Sequence, residues 1–243
     1  IIDEIQAYSP RVVATLIYGL KMIQEMGGKF AIITATFPPV LQFFMEQYGL
    51  KAGEQYLMED FSQNTALRRH KMLIRNGDMD IGEIINEGEE KKVLIICNTV
   101  TQAQKIYQQI SEEFENTYLL HSRFIRRDRK VLEKMIMEFS RQKNVAGIWI
   151  TTQIVEASLD IDFDILYTEM CPCDSLLQRM GRCNRGGRYE PENPNIIIFN
   201  NGNGVGERSV YALDIYNRSL EKLKEYENII FTEALKTDYI NKV

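Results

Sequence analysis

Short apolar runs alternate with amphipathic stretches along most of this chain. The first run, KFAIITAT (Lys29–Thr36), reads as a buried strand that follows a helical segment from about Arg11 to Met26. KKVLIICNTV (Lys91–Val100) is a second buried strand, dense in β-branched and apolar residues. Thr101 then caps a helix in which Ala103, Ile106, Tyr107, Ile110 and Phe114 share one face. NTYLLHS (Asn116–Ser122) is a third strand, and Asp128 opens a second helix with the stripe Val131, Leu132, Met135, Ile136 and Phe139. NVAGIWITTQ, DILYTEM and NIIIFN supply three more strands, with a short helix around Ser175–Met180 between the last two.

Strands that alternate with helices in units of about 30 residues predict an α/β fold, a parallel sheet flanked by helices. Functional residues in such sheets gather at the carboxyl ends of the strands, where Asn98, His121, Thr151 and Glu169 fall. The pattern fades from Leu57 to Glu90, which reads as a connection between two α/β units with room for an edge strand. A polar, glycine-rich stretch from Asn200 to Glu207 precedes a C-terminal helix, Val210–Tyr226. The expected division is residues 1–60, a connection over 61–90, a main α/β unit over 91–200, and a loop and helix over 201–243.

Composition narrows the class. Of 243 residues, 44% are hydrophobic and 26% charged, as in a soluble globular protein that buries a core. No apolar run reaches the ~18 residues of a membrane span, which predicts no membrane partner. Four cysteines in a chain this long do not form a disulfide framework, so a reducing cytoplasm is the expected setting. The net charge of −5 leaves no global basic footprint for nucleic acid, so local patches must carry any such binding. The chain opens on IIDEIQAY, without a methionine and in what reads as the end of a strand, and is expected to be an excerpt of a larger protein.

Those patches exist. LLHSRFIRRDRK sets Arg123 at a strand end and Arg126, Arg127, Arg129 and Lys130 at a helix start, a cluster suited to phosphates. QRMGRCNRGGR gathers Gln178, Arg179, Arg182, Arg185 and Arg188 among three glycines, a poor composition for a plain surface helix. Arginines three apart share one face of a helical turn, so Arg179, Arg182 and Arg185 are predicted to form a row able to stabilise charge on a transferred phosphoryl group. Near the start, Asp3 and Glu4 at a strand end suit a nucleotide-bound magnesium ion and an attacking water, and Thr34 and Thr36 end the next strand with hydroxyls.

Taken in order, DEIQ, TAT, HSRF, ITTQIVEASLDID and QRMGRCNRGG resemble motifs II to VI of a superfamily 2 helicase, covering Asp3 to about Gly187. The finer resemblance is to the helicase–nucleases of type I CRISPR interference, through LHSRF, TQIVEASLDID and QRMGRCNR. It implies the C-terminal part of a first RecA-like domain and a complete second one. It also implies ATP and Mg²⁺ as cofactors, single-stranded DNA as the track, and a CRISPR RNA-guided surveillance complex and an upstream nuclease domain or subunit as partners. Residue by residue, Asp3 would hold magnesium and Glu4 would activate water, while Thr34 and Thr36 would couple nucleotide state to movement. Asp160 would lie near the ribose, with Arg179 in the nucleotide-binding set. Gln178 would lie near the γ-phosphate, Arg182 and Arg185 would act as arginine fingers, and Arg123, Thr151 and Thr152 would touch the strand backbone.

The sequence departs from that family in having Gln6 where a histidine is usual, and it contains no G-x-x-x-x-G-K-[ST] loop and no histidine–aspartate nuclease segment. The stretch is therefore expected not to hydrolyse ATP by itself. Two other readings compete: another superfamily 2 helicase acting on DNA or RNA, and a non-catalytic nucleic-acid-binding module of RecA-like fold.

Overall fold

The computed structural model describes residues 1–5, 8–34, 37–59, 67–156 and 159–243. The chain forms two compact units, one of Ile1–Asn64 with Ile240–Lys242 and one of Thr65–Tyr239 with Val243. In the first, β1 (Ile2–Asp3) and β2 (Ile32–Ile33) pair in parallel, Ile2 beside Ile32 and Asp3 beside Ile33. Helices α1 (Pro10–Glu25) and α2 (Pro39–Gln47) each begin on a proline, whose fixed φ suits a first turn. Ile17 and Leu20 of α1, Leu41 and Met45 of α2, and Ile5 and Leu50 make its core.

The second unit is built on six parallel strands in the order β3-β8-β7-β4-β6-β5. These are β3 (Met72–Asn76), β4 (Lys92–Ile96), β5 (Thr117–Leu120), β6 (Gly147–Thr151), β7 (Ile165–Glu169) and β8 (Ile196–Asn200). Strands β4, β6 and β7 are buried at every position, as expected of central strands covered on both faces. Val93, Ile95 and Cys97 face α3 (Ile81–Glu90) and α4 (Val100–Ser111), where Ile84, Ala103, Ile106 and Ile110 meet them. On the other face α5 (Arg126–Arg141) brings Phe139 against Tyr118 and Trp149, themselves stacked with centroids 4.9 Å apart. The buried Lys92 ammonium donates to the carbonyls of Ser140 (2.8 Å) and Gln142 (3.3 Å), closing the C-terminal end of α5. Beyond α6 (Cys173–Met180) come α7 (Leu213–Leu223) and α8 (Glu233–Lys242), which begins at a Thr232 cap.

Several expectations are corrected. The cap of α4 is Thr99, whose hydroxyl accepts from the Gln102 amide at 3.2 Å, so the helix starts at Val100 rather than after Thr101. Helix α5 starts at Arg126, two residues before Asp128, and Val131 and Met135 lie on its exposed side while Ile136 and Ser140 turn inward. Within the 61–90 segment β3 pairs along β8 as the edge strand for which it left room, while α3, packed on the sheet, was not expected. Helix α3 lies so close that a Cβ on Gly88 would come within 2.5 Å of Ile148. The C-terminal helix is shorter than Val210–Tyr226, and α8 was not foreseen.

His70 sits wholly buried, its Nε2 donating to the Cys183 carbonyl at 2.8 Å and its Nδ1 without a partner. Burial, with Lys236 and Arg69 nearby, pushes its pKa well below the usual value. The unfolded chain takes up that proton near pH ~6.5, the folded unit only at lower pH. Stability is therefore full above pH ~6.5 and falls as the pH drops below it. His70→Gln keeps a donor for Cys183 and should flatten that fall, leaving the smaller share from His121. Urea unfolding between pH 7.5 and 5 checks this, and superimposable profiles for variant and wild type would remove His70 from the account.

Candidate functional site

At the end of β1 the exposed Asp3 is followed by Glu4 in the left-handed region, φ 48°. A non-glycine residue held there costs on the order of 1–3 kcal/mol and tends to mark functional positions. The Glu4 amide donates to the Ile33 carbonyl at 2.8 Å, and its Oε2 accepts from the Thr34 hydroxyl at 3.0 Å. The carboxylate pair and the threonine thus meet at the ends of neighbouring strands. Asp3 fits magnesium, which uses one or two carboxylates and fills its remaining positions with water and phosphate oxygens. Among the described residues no group of three or more His, Cys, Asp or Glu is arranged to hold a metal ion. Thr36, like Gln6, lies outside the described residues.

In the second unit the carboxyl ends of the strands converge on Arg179, which is fully buried on α6. Its Nε donates to Glu156 Oε1 (2.7 Å), Nη1 to Thr168 Oγ1 (2.8 Å) and the Glu169 carbonyl (3.0 Å), and Nη2 to Asn98 Oδ1 (2.9 Å) and Tyr211 Oη (3.0 Å). A guanidinium has five N–H groups, and all five are used. Burial lowers its pKa, but Cys171, Glu156 and Tyr211 raise it and the net shift is upward, so it stays charged. Glu169 completes the hub: its carboxylate accepts from the Asn98 amide (2.6 Å) and from the side chains of Asn201 (2.9 Å) and Asn203 (2.7 Å). This ties the glycine-rich loop after β8 to the sheet. Gly204, at φ 73°, passes so near that a Cβ would lie 2.9 Å from that of Asn98. The four cysteines are free and buried, and burial pushes the Cys171 thiol up to about 12.

The expected row of arginines does not form. Helix α6 ends at Met180 and Gly181 caps it, so Arg182 and Arg185 lie in the turns that follow, on either side of a bridge between Phe163 and Cys183. There the Phe163 amide donates to the Arg182 carbonyl (3.0 Å) and the Asn184 amide to the Phe163 carbonyl (2.8 Å). Arg179 points into the core, and its saturated donors leave none for a nucleotide, correcting its place in the nucleotide-binding set. Arg182 donates through Nη1 to the Leu159 carbonyl (2.6 Å) and through Nη2 to the Glu156 carbonyl. Gln178 is half-buried on α6, while Arg185 is exposed, its Nε 3.5 Å from Asp160. Asp160 is itself exposed and lies 3.5 Å from Arg141 as well.

Of the residues expected to meet a strand backbone, Arg123 is exposed in the turn before α5, beside the stacked rings of His121 and Phe124 (4.3 Å, 18°). Burial pushes the His121 pKa down. Thr151 and Thr152 are both buried, and the Thr151 hydroxyl donates inward to the Ile95 carbonyl at 3.1 Å. The Thr151 side chain is thus turned away from a polymer, a correction to its expected contact. The residues missed in sequence are Glu156, Asn201, Asn203 and Tyr211. The signal for Glu156 was a lone acid within the apolar run IVEASL.

Residues 89–188 match the family model described as CRISPR-associated nuclease/helicase Cas3, C-terminal. The CRISPR-associated nuclease/helicase Cas3 of Methanothermobacter thermautotrophicus is 33% identical over 258 residues, covering all of this chain and 30% of that protein. The crystal structure of T. fusca Cas3 shares the fold with a TM-score of 0.79 at 20% identity, covering 98% of this chain and 34% of that one, and its ATP form scores 0.75 at the same identity, with the same shares of the two chains. A structure described as a CRISPR RNA-guided surveillance complex, pre-nicking, scores 0.70 at 21% identity over 98% of this chain and 36% of that one. The chain spans about a third of the length of these relatives. No helix among the described residues is long and apolar enough to cross a membrane.

Removing Arg179 would leave Glu156 buried without its counter-charge, so Arg179→Ala should cost about 3–5 kcal/mol. Arg185→Ala breaks only an exposed pair and should cost less than about 1 kcal/mol. Urea unfolding of the chain measures both, and equal losses would contradict the buried hub.

Proposed function

Because the chain belongs to the Cas3 family of CRISPR-associated nuclease/helicases, as a stretch of the superfamily 2 helicase core, we propose that it serves an ATP-driven translocase on single-stranded DNA. In this reading the intact protein works with a nuclease domain or subunit in type I CRISPR interference, recruited by an RNA-guided surveillance complex. The observation that carries the reading is the left-handed Glu4, with its carboxylate accepting from Thr34 at the end of the next strand. A strained acid restrained by a hydroxyl is suited to orienting an attacking water.

The roles proposed for each group are those that the motif resemblance implies. Glu4 polarises the water, and Thr34 holds the carboxylate in position. Asp3 offers a ligand to Mg²⁺, which when bound neutralises charge on the β- and γ-phosphates. In the second unit Gln178 faces the γ-phosphate, and Arg182 and Arg185 counter the charge that develops on it. Arg182 is the better preorganised of the two, since two loop carbonyls fix its guanidinium. Asp160, which is exposed, would meet the ribose. Arg123 and the basic first turn of α5 give the strand backbone its charge partners, in a salt-dependent way. Arg179 acts as a positioning residue. Without a phosphate-cradling loop, the 243-residue stretch should not turn over ATP alone.

The test is ATP hydrolysis by the longer parent protein, titrated with single-stranded DNA and with single-stranded RNA. DNA-stimulated turnover that falls on the order of 10³-fold or more in Arg182→Ala is the expected result. Preference for RNA would favour a general superfamily 2 helicase. Strand binding without any turnover would favour a non-catalytic module.

A further inference from the structure

The β6–β7 loop begins at Thr152, continues through a 3-10 turn at Gln153–Val155, and reaches Glu156. Glu156 is gripped at two points that do different things. Its carboxylate, a tenth exposed, is held at 2.7 Å by the buried Nε of Arg179. Its backbone carbonyl is one of the two acceptors that fix the Arg182 guanidinium. The turn just before it is anchored to the same hub, because Gln153 Nε2 donates to the Asn98 carbonyl at 2.7 Å and Asn98 Oδ1 accepts from Arg179. Turn, glutamate and Arg182 therefore share one support, and none of the three can shift alone.

We propose that Glu156 is the positioning residue through which the strand-end turn at Thr152–Val155 sets the orientation of Arg182. The proposal rests on the ATPase reading above and deepens it. A displacement of the turn by a bound polynucleotide would pass through Glu156 to the carbonyl that holds Arg182, with no need for a larger rearrangement. Glu156→Gln preserves shape but removes the charge that Arg179 grips, so the Glu156 carbonyl loses its fixed position. A positioned group that drifts by on the order of 1 Å costs roughly 10²-fold in rate.

Three forms of the parent protein test this: wild type, Glu156→Gln and Tyr226→Phe. Tyr226→Phe removes a hydrogen bond from a buried tyrosine to Asp238, at 2.5 Å and outside the Arg179 hub, and so controls for a merely structural effect. Thermal midpoints, the KM for ATP, the affinity for single-stranded DNA and the DNA-stimulated kcat are measured for each. The expected result is a stimulated kcat reduced roughly 10- to 100-fold in Glu156→Gln, with KM and DNA affinity unchanged, while Tyr226→Phe keeps wild-type kcat. If Glu156→Gln does not fold, Glu156→Asp carries the same test, since it keeps the charge but draws the backbone toward Arg179. A stimulated kcat equal to wild type, or a loss matched by Tyr226→Phe, overturns the inference alone. A wild-type parent whose turnover ignores single-stranded DNA overturns the reading beneath it as well.

Discussion

A single guanidinium organises the functional end of the larger unit. Arg179 is buried without access to water, a placement that can be sustained only if every donor finds an acceptor and a counter-charge lies near. Its five partners come from four separate stretches: the end of β4, the end of β7, the β6–β7 loop and the segment after the glycine-rich loop. The sheet already sets the ends of β4, β6 and β7 side by side, and the guanidinium locks the loop after β6 and the segment after the glycine-rich loop onto them. Satisfying one cation thus fixes the relative placement of Asn98, Glu156, Glu169 and Tyr211, and through Glu156 the seat of Arg182.

The surrounding fold supplies the rigidity such a hub needs. Three central strands are buried at every position, helices cover both faces, and Lys92 ties the far end of α5 to the start of β4. The glycine-rich loop is bound to Glu169 by two asparagines, so even the irregular part of this edge is hydrogen-bonded into place. Exposed residues include Asp3, Arg123, Asp160 and Arg185, the groups to which the proposed function gives outside partners.

Much of the larger unit was legible in sequence because buried parallel strands read as unbroken apolar runs, a pattern that solvent-facing segments do not imitate. β3 and α3 were faint for the converse reason: an edge strand carrying Arg75, and a helix interrupted by Gly82 and Gly88, weaken both periodicities. Phase was the harder property. NTVT offers two threonines as caps, and only the folded helix selects Thr99. The stripe on α5 named five apolar residues where the sheet has room for fewer. In the candidate site, the strand-end positions were readable but side-chain directions were not. Thr151 stands where expected and turns inward, and Arg179 reads as a solvent-seeking charge although it is fully enclosed. The row of arginines failed because their spacing is helical only if the helix continues, and Gly181 ends it.

Strand order also dictates when this unit can be finished during synthesis. β4 lies between β7 and β6, and β3 pairs only with β8, whose partner positions lie about 120 residues further along. At ribosomal rates of ~5–20 residues per second, β3 waits roughly 6–25 s for its neighbour. Until β6 and β7 are made, about 55 and 72 residues after it, the apolar run VLII of β4 has none of its sheet partners, which makes the nascent chain, rather than the finished protein, the form most exposed to aggregation.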